Sequence, residues 1–283
     1  MTPLSAGLRA GLARGAIECR QTLTNSQDLM GYVFPSLVFL VVMYLMRDRT
    51  VEGTDFSMGA MVLPSVLGMT VMFAGLMTVA QLLIVEREDG TLLRAKAVPN
   101  GMQGYLVGKI VTVSGMTVVS MLIILVPGLF MFDGLALGSV GAWATLAWVM
   151  VVGLAATMPL GAIIGSLFSS PRQIGLVMFP MMGLIGISGI FYPIGDMPDW
   201  LQWIAQVFPM YWLGLGMRSA MLPEALAAVE IGASWRHLET LGVLGVWAVV
   251  GVIVAPMVLR RMARRESGSS VQARKLKAMQ RVN

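Results

Sequence analysis

Long uncharged stretches alternate with short charged segments along this chain, and the alternation predicts a membrane protein built from helices. A helix needs about 20 apolar residues to cross the hydrocarbon core of a bilayer. The stretches of this kind are residues 29–46, 56–85, 110–132, 142–168, 173–195 and 240–259. We therefore predict an all-α fold in which residues 1–283 form a single transmembrane domain with six spans.

Residues 1–28 carry an apolar stripe instead of a continuous apolar run. At about 100° per residue, one side of a helix would hold Leu4, Leu8, Leu12, Ala16, Cys19 and Leu23. Arg14 and Glu18 fall on the other side. The pattern predicts an amphipathic helix at the membrane surface, with a frayed basic arm as the alternative. Glycines at positions 7, 11 and 15 favour a close contact with another helix.

The connection between the fifth and sixth spans, residues 196–239, contains a long uncharged stretch from Trp200 to Met217. Pro209 interrupts this stretch, and aromatic side chains, which favour the membrane interface, crowd it. They are Trp200, Trp203, Phe208, Tyr211 and Trp212. We predict two short re-entrant helices that rest in or dip into the outer leaflet.

The distribution of basic residues supports six spans, because cytoplasmic segments are enriched in Lys and Arg. With both termini in the cytoplasm of a multi-pass plasma-membrane protein, sixteen of the 20 Lys and Arg residues lie inside. The four outside are Arg47, Arg49, Arg218 and Arg236. Residues 86–109 are then a cytoplasmic loop, 196–239 an extracellular segment and 260–283 a basic cytoplasmic tail. A seventh span, in 134–171 or 200–217, would move that tail outside.

The amino-acid composition agrees with a membrane protein and indicates which kinds of partner to expect. The chain is 57% hydrophobic and 12% charged, whereas soluble domains carry about 25% charged residues. Topology and the inner leaflet account for the net charge of +5, so we expect membrane lipid as a partner and no nucleic acid. The single cysteine excludes an intrachain disulfide.

The segment from Val85 to Lys109 is a charged island between two apolar runs, and its local signals predict a shaped element. Its first residues extend the preceding helix, and Gly90 ends that helix in a left-handed conformation. Thr91 is predicted to cap a short second helix through Ala97, which Pro99 terminates. Leu92 and Leu93 on that helix are candidates to contact another protein. We interpret the segment as a cytoplasmic docking element, and the alternative is an ordinary solvated loop.

Motifs for ATP binding or ion coupling are weak in this sequence. Gly104 to Lys109 resembles a phosphate-binding loop, but it has three residues between its glycines and no Ser or Thr after the lysine. If ATP drives the protein, another chain must bind it. No acidic or basic residue lies inside a predicted span, which argues against an ion-coupled carrier or an ion channel. A pathway for an apolar or amphiphilic molecule fits better.

One motif suggests an enzyme. Gly186-Ile-Ser188-Gly189 resembles the Gly-x-Ser-Gly of rhomboid intramembrane serine proteases. A serine nucleophile needs a base within hydrogen-bond reach, and the one histidine, His237, lies at the outer edge of the last span. Ser188 alternatively serves as a small residue for helix packing. We keep a rhomboid-like protease as the alternative function.

Two features of the fourth and fifth spans have both a functional and a structural interpretation. Gly161-Ala-Ile-Ile-Gly165 is a small-xxx-small motif that favours either a gate or dimer contact or packing within the chain. The thioethers of Met178, Met181 and Met182 suit a promiscuous apolar surface and are candidates for a substrate path, although lipid-facing or core packing also accounts for methionines in a span.

Two separated motifs, in the right order, resemble ABC type-2 transporter permeases. Glu86-Arg-Glu-Asp-Gly90-Thr91, followed by Pro99 and Lys109, resembles the coupling loop of that family. The run from Ser188 to Pro193, with Pro198-Asp-Trp200-Leu201, Pro209 and Arg218, resembles its outer signature. The resemblance covers nearly the whole chain, and Gly90 to Pro99 looks most like the drug-resistance and antibiotic self-protection branch.

The resemblance implies roles for particular residues. The ATPase-coupling loop would comprise Glu86, Arg87, Glu88, Gly90, Thr91, Leu92, Leu93 and Pro99. The outer gate signature would comprise Ser188, Gly189, Phe191, Tyr192, Pro193, Pro198, Trp200, Pro209 and Arg218. No catalytic, cofactor-binding or metal-binding residue is expected in this chain.

The resemblance also implies a partner and an activity. Two copies of a separate ABC ATPase would bind ATP and Mg²⁺, and two permeases, identical or related, would form the pathway. The implied function is the ATP-driven export of a hydrophobic or amphiphilic small molecule, such as a drug, an antibiotic or a lipid-like compound. ATPase closure would push on residues 86–98 and tilt the second and third spans.

Overall fold

The computed structural model describes residues 3–50, 56–98, 101–168, 171–195 and 197–265, and these fold into a bundle of helices. In chain order the α-helices are α1 (Pro3–Thr24), α2 (Ser26–Leu45), α3 (Met58–Phe73), α4 (Val79–Glu88), α5 (Thr91–Lys96), α6 (Gly101–Met131), α7 (Val140–Leu167), α8 (Pro171–Ile187), α9 (Asp199–Val207), α10 (Pro209–Met221) and α11 (His237–Arg265). A π-helical turn, Ala74–Thr78, joins α3 to α4, and 3-10 turns occupy Glu224–Val229 and Ile231–Ala233. The predicted all-α character is confirmed for these residues.

Within the described residues, five helices are long and apolar enough to cross a membrane. They are α2, the continuous helix Met58–Glu88, α6, α7 and residues His237–Met262 of α11. The remaining predicted span, 173–195, corresponds to α8, which has 17 residues. At 1.5 Å per residue, α8 is about 26 Å long, slightly less than the roughly 30 Å of a hydrocarbon core. A sixth crossing therefore stays a prediction.

The two short helices of residues 199–221 differ in their surroundings. α9 exposes Trp200 and Trp203, as a helix at an interface would, whereas every residue of α10 except Ser219 is buried. Tyr211, Leu213 and their neighbours in α10 lie in the main hydrophobic core, between α3, α7 and α11. α10 is therefore enclosed by the chain's own helices, and the prediction that both helices rest in or dip into the outer leaflet stays a prediction.

Small residues let α1 pack tightly along the first half of α6. A Cβ built on Gly11 would lie 2.6 Å from the carbonyl oxygen of Gly104, and one on Gly15 would lie 2.7 Å from that of Gly108. The predicted close helix contact is therefore confirmed, and the phosphate-loop-like glycines of α6 form its other half. Leu8 and Leu12 of the predicted apolar stripe remain exposed.

A second glycine face joins α7 to the π-helical turn. A Cβ on Gly161 would lie 2.3 Å from the carbonyl oxygen of Gly75, and one on Gly165 would lie 2.7 Å from that of Ala80. Of the two interpretations of the Gly161–Gly165 motif, packing within the chain is the one observed. The close approach fixes α7 against the middle of the helix that runs from α3 to α4.

Candidate functional site

The ends of several helices meet at one end of the bundle. Leu83 of α4, Tyr105 of α6 and Leu259 of α11 lie in one small hydrophobic cluster. The start of α6 also packs against α1. The charged segment that begins at Glu86 therefore emerges from a platform to which four helices contribute.

At this platform a cluster of charged side chains joins α1, α4 and α6. The Nζ atom of Lys109 lies 2.5 Å from Oε1 of Glu86 and 2.7 Å from Oε2 of Glu18. Nε of Arg14 lies 2.8 Å from Oε1 of Glu18. The hydroxyl of Tyr105 donates to Oε2 of Glu86 at 2.5 Å. We call these five residues the ion cluster.

The side chains of the ion cluster are largely buried, and this strengthens the attraction between their charges. The side chains of Lys109 and Glu86 are each only 12% exposed, so their mutual attraction is screened less than that of an exposed pair. Burial of the Glu18 carboxyl disfavours its charged form, but hydrogen bonds from Lys109 and Arg14 outweigh this effect and hold the pKa of Glu18 below its ordinary value. The hydroxyl of Thr112 adds a further hydrogen bond to Glu18, at 3.0 Å.

This geometry changes the interpretation of Glu86. The residue was predicted to take part in a contact with another protein, yet its carboxylate is occupied by Lys109 and Tyr105 of its own chain. Its position allows it to transmit a displacement of α4 to α1 and α6, and not to bind a partner directly.

Arg87 ties the same end of α4 to the end of α7. Its guanidinium donates to the carbonyl oxygens of Gly165, Ser166 and Phe168, at 3.4, 3.3 and 2.9 Å. The last carbonyls of a helix have no partner within the helix, and a cation is favoured there. Arg87 therefore links α4 to α7, while Glu88 beside it is half-buried.

The turn into α5 follows the predicted path with one difference. Gly90 adopts a left-handed conformation, with φ 80°, as predicted. The prediction that Thr91 caps α5 is wrong, because Gly90 occupies the cap position and Thr91 is the first helical residue. The carboxylate of Asp89 accepts a hydrogen bond from the amide of Thr91 at 2.7 Å. Pro99 lies outside the described residues.

The two leucines of α5 are not equivalent. Leu92 is 2% exposed and packs against Leu83, Tyr105 and Met262, so the prediction that it contacts another protein is wrong. Leu93 is half-buried, and the exposed side of α5 carries Arg94. Burial of Leu92 holds α5 on the platform and leaves its outer face for a partner.

At the other end of the bundle, Arg218 and Glu230 form a buried pair. Nε of Arg218 lies 2.7 Å from Oε1 of Glu230, and both side chains are 1% exposed. The guanidinium also donates to the carbonyl oxygens of Gly189 and Ile190, at 3.1 and 2.9 Å. Gly189 has φ 62°, which turns the chain sharply after α8. Arg218 thus fastens the segment that follows α8 to α10.

The structure brings together only part of the predicted outer signature. Gly189 and Arg218 meet as described, and Pro209 is buried at the start of α10. The hydroxyl of Tyr192 bonds to the carbonyl of Gly186. Of the other members, Phe191 and Pro193 are half-buried, and Pro198 and Trp200 are exposed.

The three methionines of α8 do not share one environment. Met181 is buried and lines a groove of about 540 Å³ together with Leu76, Leu160 and Trp247. Met182 is 64% exposed, and Met178 is exposed as well. Met181 alone of the three lies in a cavity wall suited to an apolar substrate.

The contacts of Ser188 do not resemble those of a serine nucleophile. Its hydroxyl donates to the carbonyl of Ile185 at 3.1 Å and accepts from the amide of Ile190 at 3.2 Å. His237 is exposed at the first residue of α11. An activated serine needs a base in hydrogen-bond contact, and Ser188 instead shapes the turn after α8.

Sequence reasoning found Glu86 and Arg218 but missed their partners. Glu18 and Lys109 are 91 residues apart, and Arg218 and Glu230 approach only because the 3-10 turns fold back. One usable signal was present: Glu18 lies on the polar side of a helix with a glycine face, and Lys109 follows a matching pair of glycines. Opposite charges beside two complementary small-residue faces favour a pairing of those faces.

Comparison with protein families gives a match over most of the chain. A family model described as ABC-2 family transporter protein matches residues 47–255. None of the curated protein sequences compared with the chain matches it significantly. Glu86, Tyr105 and Lys109 lie within the matched segment, whereas Arg14 and Glu18 precede it.

Proposed function

Because the chain belongs to the ABC-2 family of transporter proteins, we propose that it is the permease of an ATP-driven exporter. Membership of this family implies a membrane transport component that has no ATPase of its own and works with an ABC ATPase. Within residues 86–98, the outer face of α5, which carries the exposed Arg94, is the proposed contact with that ATPase. The ion cluster at the base of this segment is the observation that carries the proposal.

The proposed coupling between the ATPase and the membrane helices runs from α5 through the end of α4. α5 is held by Leu92, and its outer face presents Arg94 to a partner. A push on α5 displaces the end of α4, to which Glu86 and Arg87 belong. Glu86 passes the displacement to α1 and α6 through Lys109, and Arg87 passes it to α7. Of these helices, α6 and α7 are long and apolar enough to cross a membrane.

The substrate and direction of the proposed transport rest on the apolar groove and on the sequence resemblance. Leu76, Met181 and Trp247 give the groove a wall with almost no polar surface, which suits a hydrophobic or amphiphilic small molecule. Export is proposed from the resemblance of the two motifs to ABC type-2 permeases, and the drug-resistance branch from that of residues 90–99. Six spans, with both ends in the cytoplasm of a plasma-membrane protein, are part of the same proposal.

We also propose that two permeases associate, with two ATPase copies. α8 supports this because it exposes large apolar side chains, among them Leu176, Phe179 and Met182. A second copy of the chain would cover this face and enclose the groove beside it. ATP and Mg²⁺ are assigned to the ATPase.

The proposal is tested by reversing the charge of Arg94. The tagged chain is purified from its native membranes, and the copurified ABC ATPase is quantified by mass spectrometry and by ATP hydrolysis. A partner surface that complements the basic Arg94 would be acidic, and it would repel a glutamate at this position. We therefore expect Arg94→Glu to lower ATPase recovery about tenfold.

The matched control is Asp48→Lys, which reverses a charge on an 87% exposed side chain at the opposite end of the bundle. It should leave ATPase recovery unchanged. Equal recovery with Arg94→Glu and wild type would contradict a contact through α5, and the absence of any ABC ATPase from the wild-type preparation would contradict the proposed function itself.

A further inference from the structure

A second cavity, lined by other residues than the ion cluster and the apolar groove, opens on the side of the bundle where α2 packs. It has a volume of about 360 Å³ and lies between α2, α6 and the helix formed by α3, the π-helical turn and α4. None of its lining residues belongs to the ion cluster or to the Met181 groove. Small-molecule sites in proteins have volumes of about 300–1,000 Å³, so its size suits a single small ligand.

The wall of this cavity is apolar with a few hydroxyl groups. Phe39, Phe73 and Met116 contribute apolar surface, and no acidic or basic side chain is among the lining residues. The hydroxyl-bearing residues of the wall are Tyr32, Ser36, Thr70, Thr78, Thr117 and Ser120. An ion entering this wall would lose its hydration without a counter-charge, so the lining selects a neutral molecule.

Three of these six hydroxyl groups are oriented to accept hydrogen bonds from a ligand. Thr70 donates to the carbonyl of Val66 at 2.8 Å. Thr117 and Ser120 donate in the same way, one turn back along α6, at 2.7 and 3.0 Å. Each of these protons is therefore committed, and the oxygen atoms offer their remaining lone pairs to a ligand. A matching ligand must carry a hydrogen-bond donor.

The π-helical turn forms part of the same wall. Its first and last residues, Ala74 and Thr78, both line the cavity. Single π-helical turns within α-helices occur frequently at functional sites. On its other side this turn is fixed by the contact of Gly75 with Thr157 and of Leu76 with Gly161, so the α7 side of the turn is rigid and the α2 side is open.

We propose that this cavity binds a neutral amphiphile, an apolar chain or ring that carries a hydroxyl or amide N–H donor. The apolar part lies against Phe39 and Phe73, and the donor bonds to the oxygen of Thr117 or Ser120. Gly31, which is exposed and lines the cavity, lies at its mouth. Binding at this site requires neither ATP nor the ATPase, so its test is independent of the proposed coupling.

The test uses the purified full chain in phosphatidylcholine nanodiscs. The probe is a long-chain alcohol with a photoactivatable diazirine, and the matched probes are its methyl ether, which has no donor, and the corresponding carboxylic acid, which is charged. Mass spectrometry of digested protein locates the label. We expect saturable labelling of α2, α6 and the π-helical turn by the alcohol, and labelling lower by at least about fivefold with the ether and with the acid.

Two variants, each with a matched control, assign the labelling to the cavity. Gly31→Phe blocks the mouth, where an added Cβ meets nothing within 4 Å, and Gly242→Phe on α11 makes the same change in equally open space. Thr117→Val removes one acceptor oxygen at nearly constant shape. Thr24→Val removes a hydroxyl with the same kind of bond, to the carbonyl of Arg20 at 3.0 Å, outside the cavity wall. Only the first member of each pair should lower labelling.

Equal labelling of Gly31→Phe and wild type, or equal labelling by alcohol and ether, would overturn the proposal. The source of the natural ligand is identified by extracting lipid from the purified protein. Enrichment of a neutral hydroxyl lipid in wild type over Gly31→Phe assigns the site to a bilayer lipid. Labelling by the alcohol without such enrichment assigns it to a molecule that enters as cargo.

Discussion

At the scale of single residues, Lys109 is the centre of the charged platform because it pairs with carboxylates on two other helices. Removing one partner of a buried pair leaves an uncompensated charge, which costs more than the pair itself contributes. Lys109 also directly follows Gly108, where α1 and α6 approach closely. Its loss should therefore affect both the stability of the protein and the attachment of α1.

We expect Lys109→Met to lower the free energy of unfolding by about 3 kcal/mol, measured by denaturation of the purified protein in detergent. Arg47→Met is the matched control. It removes an Arg from an exposed pair in which Nε of Arg47 lies 3.4 Å from Asp48, and such pairs contribute less than about 1 kcal/mol. A cost of Lys109→Met no larger than that of the control would contradict the structural role of the cluster.

Glu18 makes the stability of the platform dependent on pH. Its pKa is lower in the folded protein than in the unfolded chain, so its stabilising contribution is complete above the ordinary carboxyl value of about 4.3. That contribution is lost as the pH falls through the folded pKa.

We therefore expect Glu18→Gln to be less stable than wild type by a constant amount between pH 6 and 8. The difference should shrink progressively below about pH 4. Unfolding midpoints of both proteins across this range provide the measurement. A difference that does not change with pH would indicate that Glu18 acts by packing and not by charge.

At the scale of elements, the contact between α1 and α6 depends on backbone approach. Each helix presents glycines where the other presents carbonyl oxygens, so an added methyl group meets backbone that has no freedom to rotate away. Overpacking of this kind typically costs 1–3 kcal/mol. The contact also carries Arg14 and Glu18 to the ion cluster, so its disruption should separate α1 from the coupling platform.

Cys19 provides an assay for this contact. A Cβ built on Gly115 would lie 2.9 Å from Sγ of Cys19, so we expect Gly115→Cys to form a disulfide with Cys19 under mild oxidation. Adding Gly15→Ala should lower the yield of this crosslink. The yield is measured by cutting the chain between the two helices and finding, from gel mobility, the fraction of fragments that the disulfide still joins. Gly31→Ala, where an added Cβ meets nothing within 4 Å, should leave the yield unchanged. Full crosslinking with Gly15→Ala would contradict the packing described.

At the scale of the whole molecule, the two ends of the bundle differ in their chemistry. One end holds α1, α5 and the ion cluster, and the other holds α9, the exposed tryptophans and the buried pair of Arg218 and Glu230. The proposed exporter requires the end with the ion cluster to face the cytoplasm and the end with α9 to face the outside of the cell. The orientation in the membrane therefore decides whether the mechanism is possible.

Labelling of single cysteines in a Cys19→Ser background measures that orientation. We expect Asp48→Cys to react with a membrane-impermeant maleimide in intact cells. Ala97→Cys, at the exposed end of α5, should react only after permeabilisation, because excess positive charge keeps its end of the bundle inside. Labelling of Ala97→Cys in intact cells would place α5 outside and exclude contact with a cytoplasmic ATPase.

Local patterns in the sequence were sufficient for the properties that depend on neighbouring residues. Uncharged stretches determined the helical membrane character, and the Gly-rich face of residues 7–15 determined that α1 packs closely against another helix. Gly90 determined the turn before α5, because a left-handed conformation is favourable for glycine. Each of these features is decided within one or two turns of chain.

Tertiary structure alone decided which charges meet and which apolar helix is enclosed. The hydropathy of α10 is compatible with an interfacial helix, and only the presence of α3, α7 and α11 around it makes it a core element. Glu86 and Leu92 have the residue types of a docking surface, yet partners from distant helices occupy both. These outcomes depend on contacts between residues far apart in sequence, whose geometry is fixed by the packing of the whole bundle and leaves no periodic pattern in the chain.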